Sequence, residues 1–414
     1  MPFDRNAPLP ADATVGAAWG VGPTDNYAAL AARFRPIFAR IREGSVAREV
    51  ERRLPVNEIR WLREAGFTAL RVPREYGGSG IRLVESFELL TELAEADSNI
   101  VQALRAHFGF VEHTLHSPLE RRERWLGRLA EGAIVGGAWS ETGEAPRSQF
   151  ATRIAQEAGE WRLDGVKFYT TGSLFADWIH VGASDADEAQ VSVTVDRRTA
   201  GVEVIDDWDG MGQRLTASGT SRFTNVKIDE REIVAGRVPF PYSEAFYQLV
   251  HIATLAGIGR AAVSDAAAAI AARKRSYSHA VTAHAAEDPQ LLQVIGRARA
   301  HAWTTGAIVA QAARALERAA QSIERPDALA VIAEAEIEIW QAQTVASQLI
   351  LDATASVFDA LGASATLRTS GLDRYWRNAR TLASHNPRIY KDRIVGDFAV
   401  NGTLPPGQWR IGVA

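Results

Sequence analysis

The chain carries apolar residues at helical spacing near both ends and in alternation through its middle. From Asn26 to about Ala130 they recur at the i, i+3, i+4 positions, as in YAALAARFRPIFARIRE, which predicts amphipathic helices. From Ile134 to about Val234 they alternate with polar residues between Gly, Asp and Asn turns, as in AQVSVTVD, which predicts a small antiparallel sheet. From Tyr242 onward, long Ala-rich helical stretches return.

These changes of period divide the chain into four parts. We predict an N-terminal extension over residues 1–25, an N-terminal helical domain over 26–133, a central β-domain over 134–236, and a C-terminal helical bundle with a tail over 237–414. The predicted fold class is α+β with mainly α structure. Several C-terminal helical stretches exceed twenty-five residues, so their apolar faces need each other or a neighbouring subunit, and we expect an oligomer.

The composition excludes several classes of function. With 46% hydrophobic and 23% charged residues, the 414-residue chain is typical of a globular protein that can bury a cofactor. A net charge of -4 without a Lys/Arg stripe predicts no nucleic-acid partner. We find no apolar run of membrane-spanning length and no leader pattern, so we expect a cytoplasmic protein without a membrane partner. The absence of Cys excludes disulfides and thiolate nucleophiles, and only two Met are present.

Two short patterns match cofactor or metal motifs in the wrong context. GIGRAA, from Gly257 to Ala262, matches G-x-G-x-x-A, but it lies inside a helical run and follows no strand. It therefore predicts close helix packing, and not nicotinamide binding. HTLH, from His113 to His116, places two imidazoles on one helix face without a third ligand nearby, so we predict no metal site.

Three segments of the β-domain combine hydroxyl groups with aromatic rings. They are GGAWSETG, VKFYTTGS and WDGMGQRLTASGT, and each brings Ser or Thr side chains and backbone donors beside a flat aromatic residue. Such a surface suits a planar heterocycle with hydrogen-bonding edges. Each segment taken singly also fits turn chemistry next to a core aromatic residue.

Together with VPREYGGSG, FTNVKIDERE and YWRNAR, these segments stand in the order found in one known family. The chain resembles the acyl-CoA dehydrogenase superfamily over nearly its whole length after the N-terminal extension. The resemblance implies an N-terminal helical domain, a central antiparallel β-domain, a C-terminal four-helix bundle and a homotetramer. It also implies a flavin cofactor.

The segment RTLASHNPRIYK departs from the dehydrogenases of that superfamily. They carry a catalytic glutamate here, whereas this chain has His385 and Asn386 and no acidic residue between Asp373 and Asp392. Other members carry the base on the helix aligned with FYQLVHIA, where this chain has Tyr247 and Gln248, with Glu244 about one turn away. A histidine followed by Asn-Pro instead resembles the reduced-flavin-dependent monooxygenase branch.

That resemblance implies a set of site residues. His385 is expected to hydrogen-bond or relay a proton at the flavin, Thr170 to bond near flavin N5, and His107 to be a third catalytic candidate. Gly137 stands where desulfurising relatives have an asparagine. The expected flavin contacts are Gly137, Trp139, Ser140, Phe168, Thr170, Thr171, Trp208 and Ser218. The expected phosphate donors, acting across a subunit boundary, are Arg275, Ser364 and Arg368.

The implied function is the oxygenase component of a two-component monooxygenase. Reduced FMN, supplied by a separate NAD(P)H:flavin reductase, would react with O₂ to a C4a-hydroperoxyflavin that oxygenates a small organosulfur compound. FAD is the alternative cofactor. The low sulfur content of the chain agrees with an enzyme that scavenges sulfur. Three alternatives remain at this point: an N- or phenol-hydroxylating monooxygenase of the same fold, an acyl-CoA dehydrogenase with a displaced base, and a non-catalytic helical assembly protein.

Overall fold

Helices precede and follow a central sheet in the computed structural model, which describes residues 17–142, 150–236 and 239–406. The predicted α+β class with mainly α structure is confirmed. The helices are α1 (Tyr27–Glu43), α2 (Ser45–Glu51), α3 (Val56–Glu64), α4 (Leu83–Leu115), α5 (Leu119–Ala130), α6 (Ser243–Ala271), α7 (Pro289–Gln321), α8 (Ala328–Leu361), α9 (Asp373–Ser384) and α10 (Ile389–Asn401).

The strands form a mixed sheet, whereas the sequence predicted an antiparallel one. The strands are β1 (Val135–Ala138), β2 (Arg153–Glu157), β3 (Glu160–Lys167), β4 (Trp178–Ser184), β5 (Gln190–Asp196), β6 (Val202–Val204), β7 (Ser221–Ile228) and β8 (Ile233–Ala235). Their order is β6-β7-β3-β2-β4-β5-β8, and β1 also pairs with β4. The β1–β4 and β2–β4 pairs are parallel and the others antiparallel. Parallel pairing of β1 and β4 is accessible because the chain between them is long enough to return to the same end of the sheet.

Helix α4 bends at Asp97, where φ is −160° and ψ is 107°. The Asp97 carboxylate accepts hydrogen bonds from Arg48 at 2.9 Å and from the Asn99 side chain at 3.0 Å. The Arg48 guanidinium is itself buried and also pairs with Glu58 at 3.0 Å. The bend is therefore held by a charge network that connects α2, α3 and α4.

Helices α4 and α6 pack closely along much of their length, which joins the N-terminal helices to the C-terminal bundle of α6, α7, α8 and α9. A Cβ added to Gly257 would lie 2.5 Å from the Cβ of Ala94 and from the carbonyl oxygen of Thr91. GIGRAA is thus a site of close helix contact, as predicted. Among the described residues, no helix is both long and apolar enough to cross a bilayer.

Candidate functional site

The segments predicted to bind flavin meet at the middle of α4, at residues 103–107, which we call the α4 junction. Gly172, in the turn after β3, has φ +79°, and a Cβ there would collide with the Ala103 carbonyl oxygen. A Cβ added to Gly137 on β1 would be 3.0 Å from the Cβ of Ala106. The α4 junction therefore touches both the end of β1 and the turn that follows β3.

His107, predicted as a catalytic candidate, is a structural residue of the α4 junction. Its side chain is fully buried, and its Nδ1 accepts a hydrogen bond from the backbone N–H of Val135 at 3.3 Å. Nε2 must then carry the proton, which it donates to the carbonyl oxygen of Thr68 at 2.8 Å. Burial lowers the pKa of His107 to about 4. Because both ring nitrogens are engaged by backbone groups, this histidine connects three segments and has no free nitrogen for a ligand.

Thr170, predicted near flavin N5, also faces the protein. It is fully buried, and its hydroxyl donates to the carbonyl oxygen of Gly219 at 2.9 Å. The Ser221 hydroxyl donates to Thr170 Oγ1 at 2.8 Å. A hydroxyl has a single proton, so Thr170 has no donor left for a cofactor. The preceding residue, Tyr169, has a positive φ of +59°.

The next residue, Thr171, presents its hydroxyl at the end of a hydrogen-bonded chain. Thr216 donates to the carbonyl oxygen of Gln213 at 2.9 Å, which uses its only proton. Ser218, 2.7 Å from Thr216, must therefore donate to it, and Thr171, 2.8 Å from Ser218, must donate to Ser218. The Thr171 oxygen keeps acceptor capacity on its half-buried side. It is thus oriented to receive an N–H, such as the N5–H of a reduced flavin.

Aromatic rings line the same region. Phe168 and Tyr169 contact each other edge to face, with ring centroids 4.7 Å apart, and the exposed Tyr169 ring lies 6.0 Å from Trp208. The indole N–H of Trp208 donates to the carbonyl oxygen of Gln213 at 2.9 Å. Trp208 and Phe168, both predicted flavin contacts, are therefore connected through Tyr169, which sequence reasoning missed.

Trp139 and Ser140 follow β1 on the other side of the region. The Trp139 ring is half-buried against His180, at 5.1 Å between centroids, and against Phe150, at 6.2 Å. Ser140 is exposed, and its carbonyl oxygen accepts the backbone N–H of Phe168 at 2.9 Å. This bond fixes the end of β1 beside the end of β3.

The loop that carries Trp208 and Ser218 is anchored to α4 and α9. Asn99, just after the bend in α4, accepts the Leu215 N–H at 3.1 Å, and Asn378 on α9 accepts the Gln213 N–H at 2.6 Å. These bonds come from side chains on two helices. The bend in α4 therefore has a direct effect on where the loop presents its hydroxyl groups.

His385 lies directly after α9, and its ring contacts a second histidine. The ring centroids of His385 and His251 on α6 are 4.4 Å apart, at an interplanar angle of 53°. Residue His385 is exposed in the single chain, but the atoms crowded around its ring lower its pKa, and the positive charge of Arg105 lowers it further. A hydrogen bond that the ring donates to Asn386 acts in the opposite direction. Burial, Arg105 and His385 together hold the pKa of His251 well below its usual value. Both imidazoles are therefore neutral at pH 7.

Sequence reasoning missed His251 and Arg105, which stand on the two helices facing His385. His251 is buried, and neither of its ring nitrogens has a hydrogen-bond partner in the described structure. The guanidinium carbon of Arg105 lies 4.6 Å from the centroid of the Tyr247 ring. A signal was present in FYQLVHIA, because His251 follows Tyr247 by four positions and so shares its helix face.

The predicted phosphate donors lie near one end of the bundle. Arg275 follows α6, and Ser364 and Arg368 follow α8, and all three are exposed in the single chain. Arg273 connects these regions, because its guanidinium donates to the carbonyl oxygens of Ala360 and Leu361 at the end of α8. Among the hydrogen bonds and ion pairs of the described residues, none joins this group to Thr171, so a phosphate role there remains a prediction.

The residues present fit a flavin. Thr171 supplies an acceptor, the half-buried Trp139 ring lies next to the close approach of Gly137 to Ala106, and three exposed donors occur near the end of the bundle. The described residues contain no group of three or more His, Asp or Glu side chains that could hold a metal ion. Which atom of a bound flavin each residue contacts remains a prediction.

Comparison with known proteins agrees with this geometry. Residues 27–133 match the family described as "Acyl-CoA dehydrogenase, N-terminal domain", and residues 249–387 match "Acyl-CoA dehydrogenase, C-terminal domain". The chain belongs to the acyl-CoA dehydrogenase superfamily. The predicted resemblance to that superfamily is thereby confirmed on both sides of the sheet.

Several relatives within the superfamily are named as monooxygenases. A dibenzothiophene monooxygenase from Mycolicibacterium goodii is 29% identical, with 84% of this chain and 88% of that protein covered. A probable FMNH2-dependent monooxygenase, SfnC, from Pseudomonas putida is 26% identical, with 90% and 94% covered. The predicted monooxygenase branch is confirmed.

Two solved structures of such enzymes superpose on the fold. FMN-bound TdsC from Paenibacillus sp. A11-2 has a TM-score of 0.82 at 27% identity, with 90% of this chain and 98% of that chain covered. Methanesulfinate monooxygenase MsuC from Pseudomonas fluorescens has a TM-score of 0.81 at 26% identity, with 91% and 98% covered. The predicted acyl-CoA dehydrogenase-like fold is thereby confirmed.

Proposed function

We propose that this protein is the oxygenase component of a two-component flavin monooxygenase that oxygenates a small organosulfur compound. The observation that carries the proposal is the neutral pair His385 and His251, whose rings are in contact. By the resemblance, His385 stands where the dehydrogenases of the superfamily have a carboxylate. A neutral imidazole can donate one N–H and accept at its other nitrogen, whereas a carboxylate base can only accept.

The cofactor is FMN, which agrees with the FMN-bound relative TdsC and with SfnC, whose name specifies FMNH2. Bound reduced FMN supplies the two electrons that activate dioxygen for insertion of one oxygen atom. The acceptor direction of Thr171 suits the N–H at N5 of a reduced flavin better than the unprotonated N5 of an oxidised one. Because only the reduced flavin has an N–H at N5 for the Thr171 oxygen to accept, the site favours binding of flavin that arrives already reduced.

His385 is the residue that we expect to handle protons. Its neutral ring can position the reacting oxygen by a hydrogen bond from the ring N–H, and it can return a proton to the oxygen atom that leaves as water. His251, in ring contact with it, can replenish that proton or hold the substrate. Three further assignments belong to this proposal: a separate NAD(P)H:flavin reductase, a homotetramer and a cytoplasmic location.

The test is a single turnover with labelled dioxygen. Protein and anaerobically reduced FMN are mixed with ¹⁸O₂ buffer containing either dibenzothiophene or an alkanesulfinate, and the product is analysed by mass spectrometry. We expect one ¹⁸O atom per oxidised sulfur. His385→Ala should lower the yield by about 100-fold or more while reduced FMN still binds. His284→Ala, which changes an exposed histidine outside the site, should leave the yield unchanged.

A different result would reject the proposal. If no sulfur compound gains ¹⁸O, and if an acyl-CoA bleaches bound oxidised flavin, the chain is a dehydrogenase and Glu244 becomes the residue to examine. If flavin binds in neither redox state, the chain is not a flavoenzyme.

A further inference from the structure

Arg105 is half-buried, its guanidinium lies over the Tyr247 ring, and no carboxylate of the described residues forms an ion pair with it. Its Nε is buried without a hydrogen-bond partner. Burial lowers the pKa of Arg105 to about 10, against the electrostatic influence of Tyr247 and Glu244, so the guanidinium is still charged at pH 7. An unpaired buried cation is costly and calls for an anionic partner.

The other arginines with little exposure are all paired. Arg48 bonds Asp97 and Glu58, Arg121 bonds Glu232, Arg260 bonds Glu88, and Arg374 bonds Asp265, each at 2.9 to 3.1 Å. The difference sets Arg105 apart from arginines that stabilise the fold. Its partner is therefore expected to be a molecule that enters the site.

A second group without a partner faces the same space. His251 is 2% exposed, both of its ring nitrogens lack a partner, and the pKa of His251 is lowered by Arg105, which places the two side chains close to one another. One turn earlier on α6, Gln248 is also buried and its Oε1 lacks a partner. A guanidinium N–H and an imidazole N–H beside His385 form a donor set for an oxyanion.

The nearby acidic side chains are matched by another cation. Lys391 on α10 interacts favourably with both Glu244 and Glu336, and burial followed by Glu244 raises the pKa of Glu336 to about 7. Lys391 also lies 3.5 Å from the ring centroid of Trp340. The raised pKa of Glu336 weakens its negative charge, so Glu244 is the stronger of the two anions that face Arg105 and Lys391.

We propose that Arg105 and His251 bind the charged oxygens of a small sulfinate and so place its sulfur beside His385. This inference rests on the proposed function and adds the substrate class. A sulfinate keeps a lone pair on sulfur that can accept an oxygen atom, whereas a sulfonate does not. The balanced reaction is R–SO₂⁻ + O₂ + FMNH₂ → R–SO₃⁻ + FMN + H₂O. Sulfur is oxidised, and the flavin supplies the two electrons that reduce the second oxygen atom to water.

The experiment compares Arg105→Gln and Arg105→Lys with the wild-type protein on ethanesulfinate and on the neutral diethyl sulfide. Wild-type protein should oxidise ethanesulfinate in preference to diethyl sulfide. Arg105→Gln should raise the KM for ethanesulfinate by about 30-fold or more, because one partner of a buried charge pair is lost. Arg105→Lys should recover part of that loss. Arg222→Gln, on the exposed face of β7, is the matched control and should behave as wild type.

Two further measurements separate a substrate contact from a structural role. Reduced-FMN affinity should be unchanged in Arg105→Gln. Its melting temperature should be equal to or above the wild-type value, since the substitution removes an uncompensated buried charge. If Arg105→Gln lowers the melting temperature and reduces the activity on ethanesulfinate and on diethyl sulfide by the same factor, Arg105 has a structural role and the inference is overturned.

The inference and the proposed function fail in different ways. The sulfinate assignment is wrong if the wild-type protein incorporates ¹⁸O into diethyl sulfide in preference to ethanesulfinate, or if Arg105→Gln keeps the wild-type KM for ethanesulfinate. In either case the proposed monooxygenase function is retained. If (methylthio)acetate is oxidised in an Arg105-dependent way and ethanesulfinate is not, the anion is a carboxylate and the sulfinate is again excluded. If no probe gains ¹⁸O at all, both proposals fall.

Discussion

At the scale of single residues, the site depends on which hydrogen-bonding atoms the protein itself has already used. Both ring nitrogens of His107 are hydrogen-bonded to backbone groups. The Thr170 hydroxyl donates its proton to a backbone carbonyl and accepts a hydrogen bond from a serine side chain. Thr171 keeps acceptor capacity on its oxygen, and His251 and Arg105 keep buried nitrogen atoms without a hydrogen-bond partner in the described structure. Thr171 was among the flavin contacts expected from the sequence, whereas His251 and Arg105 were not. A buried polar atom without a hydrogen-bond partner lowers the stability of the folded state. Such atoms therefore indicate a ligand site more reliably than residue type does.

The acceptor role of Thr171 gives a first prediction. Thr171→Val should weaken reduced-FMN binding by about 0.5–1.5 kcal/mol, the value of one hydrogen bond, with little change in stability. Fluorescence titration under anaerobic conditions measures the affinity. Thr170→Val is the matched variant: it removes one of the two hydrogen bonds to the Gly219 carbonyl and the acceptor of the buried Ser221 hydroxyl, so it should cost about 1–3 kcal/mol of unfolding free energy instead. If Thr170→Val weakens flavin binding more than Thr171→Val does, the assignment is reversed.

The lowered pKa of His385 gives a second prediction, in the pH dependence of turnover. A depressed histidine pKa means that the ring stays neutral as pH falls through the ordinary value of about 6.5. The kcat/KM for a neutral sulfide should therefore be level between pH 8 and about pH 5.5. An inflection near pH 6.5 that disappears in His385→Gln would contradict the neutral-imidazole role.

At the scale of elements, a buried carboxylate fastens α5 to the sheet. Glu232, just before β8, accepts hydrogen bonds from Trp125 at 2.8 Å and from Arg121 and Arg128 at 3.1 and 3.0 Å, and Arg124 lies 3.3 Å away. Its side chain is almost fully buried. A short helix of high charge is thus held against β-strands, which fixes where β1, the next element after α5, begins.

The third prediction concerns this attachment. Glu232→Gln removes the charge that compensates three arginines, so the unfolding free energy should fall by about 3 kcal/mol or more. Chemical denaturation of the two proteins measures the difference. Glu230→Gln changes an exposed neighbour and should alter stability by less than about 0.5 kcal/mol. Equal effects at the two positions would mean that the arginines find other partners.

At the scale of the whole molecule, the single chain exposes surfaces that an assembly would cover. Trp303 on α7 is 50% exposed, Val345 on α8 is 50% exposed, and Val400 on α10 is 81% exposed. Arg275 and Arg368, the predicted phosphate donors, are also exposed, at the end of the bundle. Both features agree with a subunit contact that completes the flavin site.

A fourth prediction follows for the assembly. Light scattering should give a mass of about 180 kDa, four times the 45.0 kDa chain. Trp303→Glu should lower this mass and weaken FMN binding together, because the phosphate site would be shared. A stable monomer that binds FMN with wild-type affinity would reject the tetramer.

The fifth prediction isolates the phosphate. Arg368→Ala should weaken binding of reduced FMN by about 1.5–3 kcal/mol, the value of a hydrogen bond to a charged group, and leave reduced riboflavin unaffected. Titration of both flavins against Arg368→Ala and Arg222→Ala measures the effect. An equal loss for FMN and riboflavin would show that Arg368 does not bind the phosphate.

The sequence by itself determined the order of helices and strands, the superfamily and the general region of the site. The spacing of hydrophobic residues depends on which face of each helix or strand is buried, so it predicts these elements from local sequence. The motifs GGAWSETG, VKFYTTGS and ASHNPRIYK occur in the order that is typical of the superfamily. Only the tertiary structure showed that the Thr170 hydroxyl is bonded to Gly219 and Ser221 whereas Thr171 keeps acceptor capacity, because these bonds join residues that are distant in the sequence. It also brought Arg105 and His251 beside His385. These residues come from α4, α6 and the end of α9, and whether a buried donor has a partner depends on contacts between such distant segments, which periodicity and spacing do not encode.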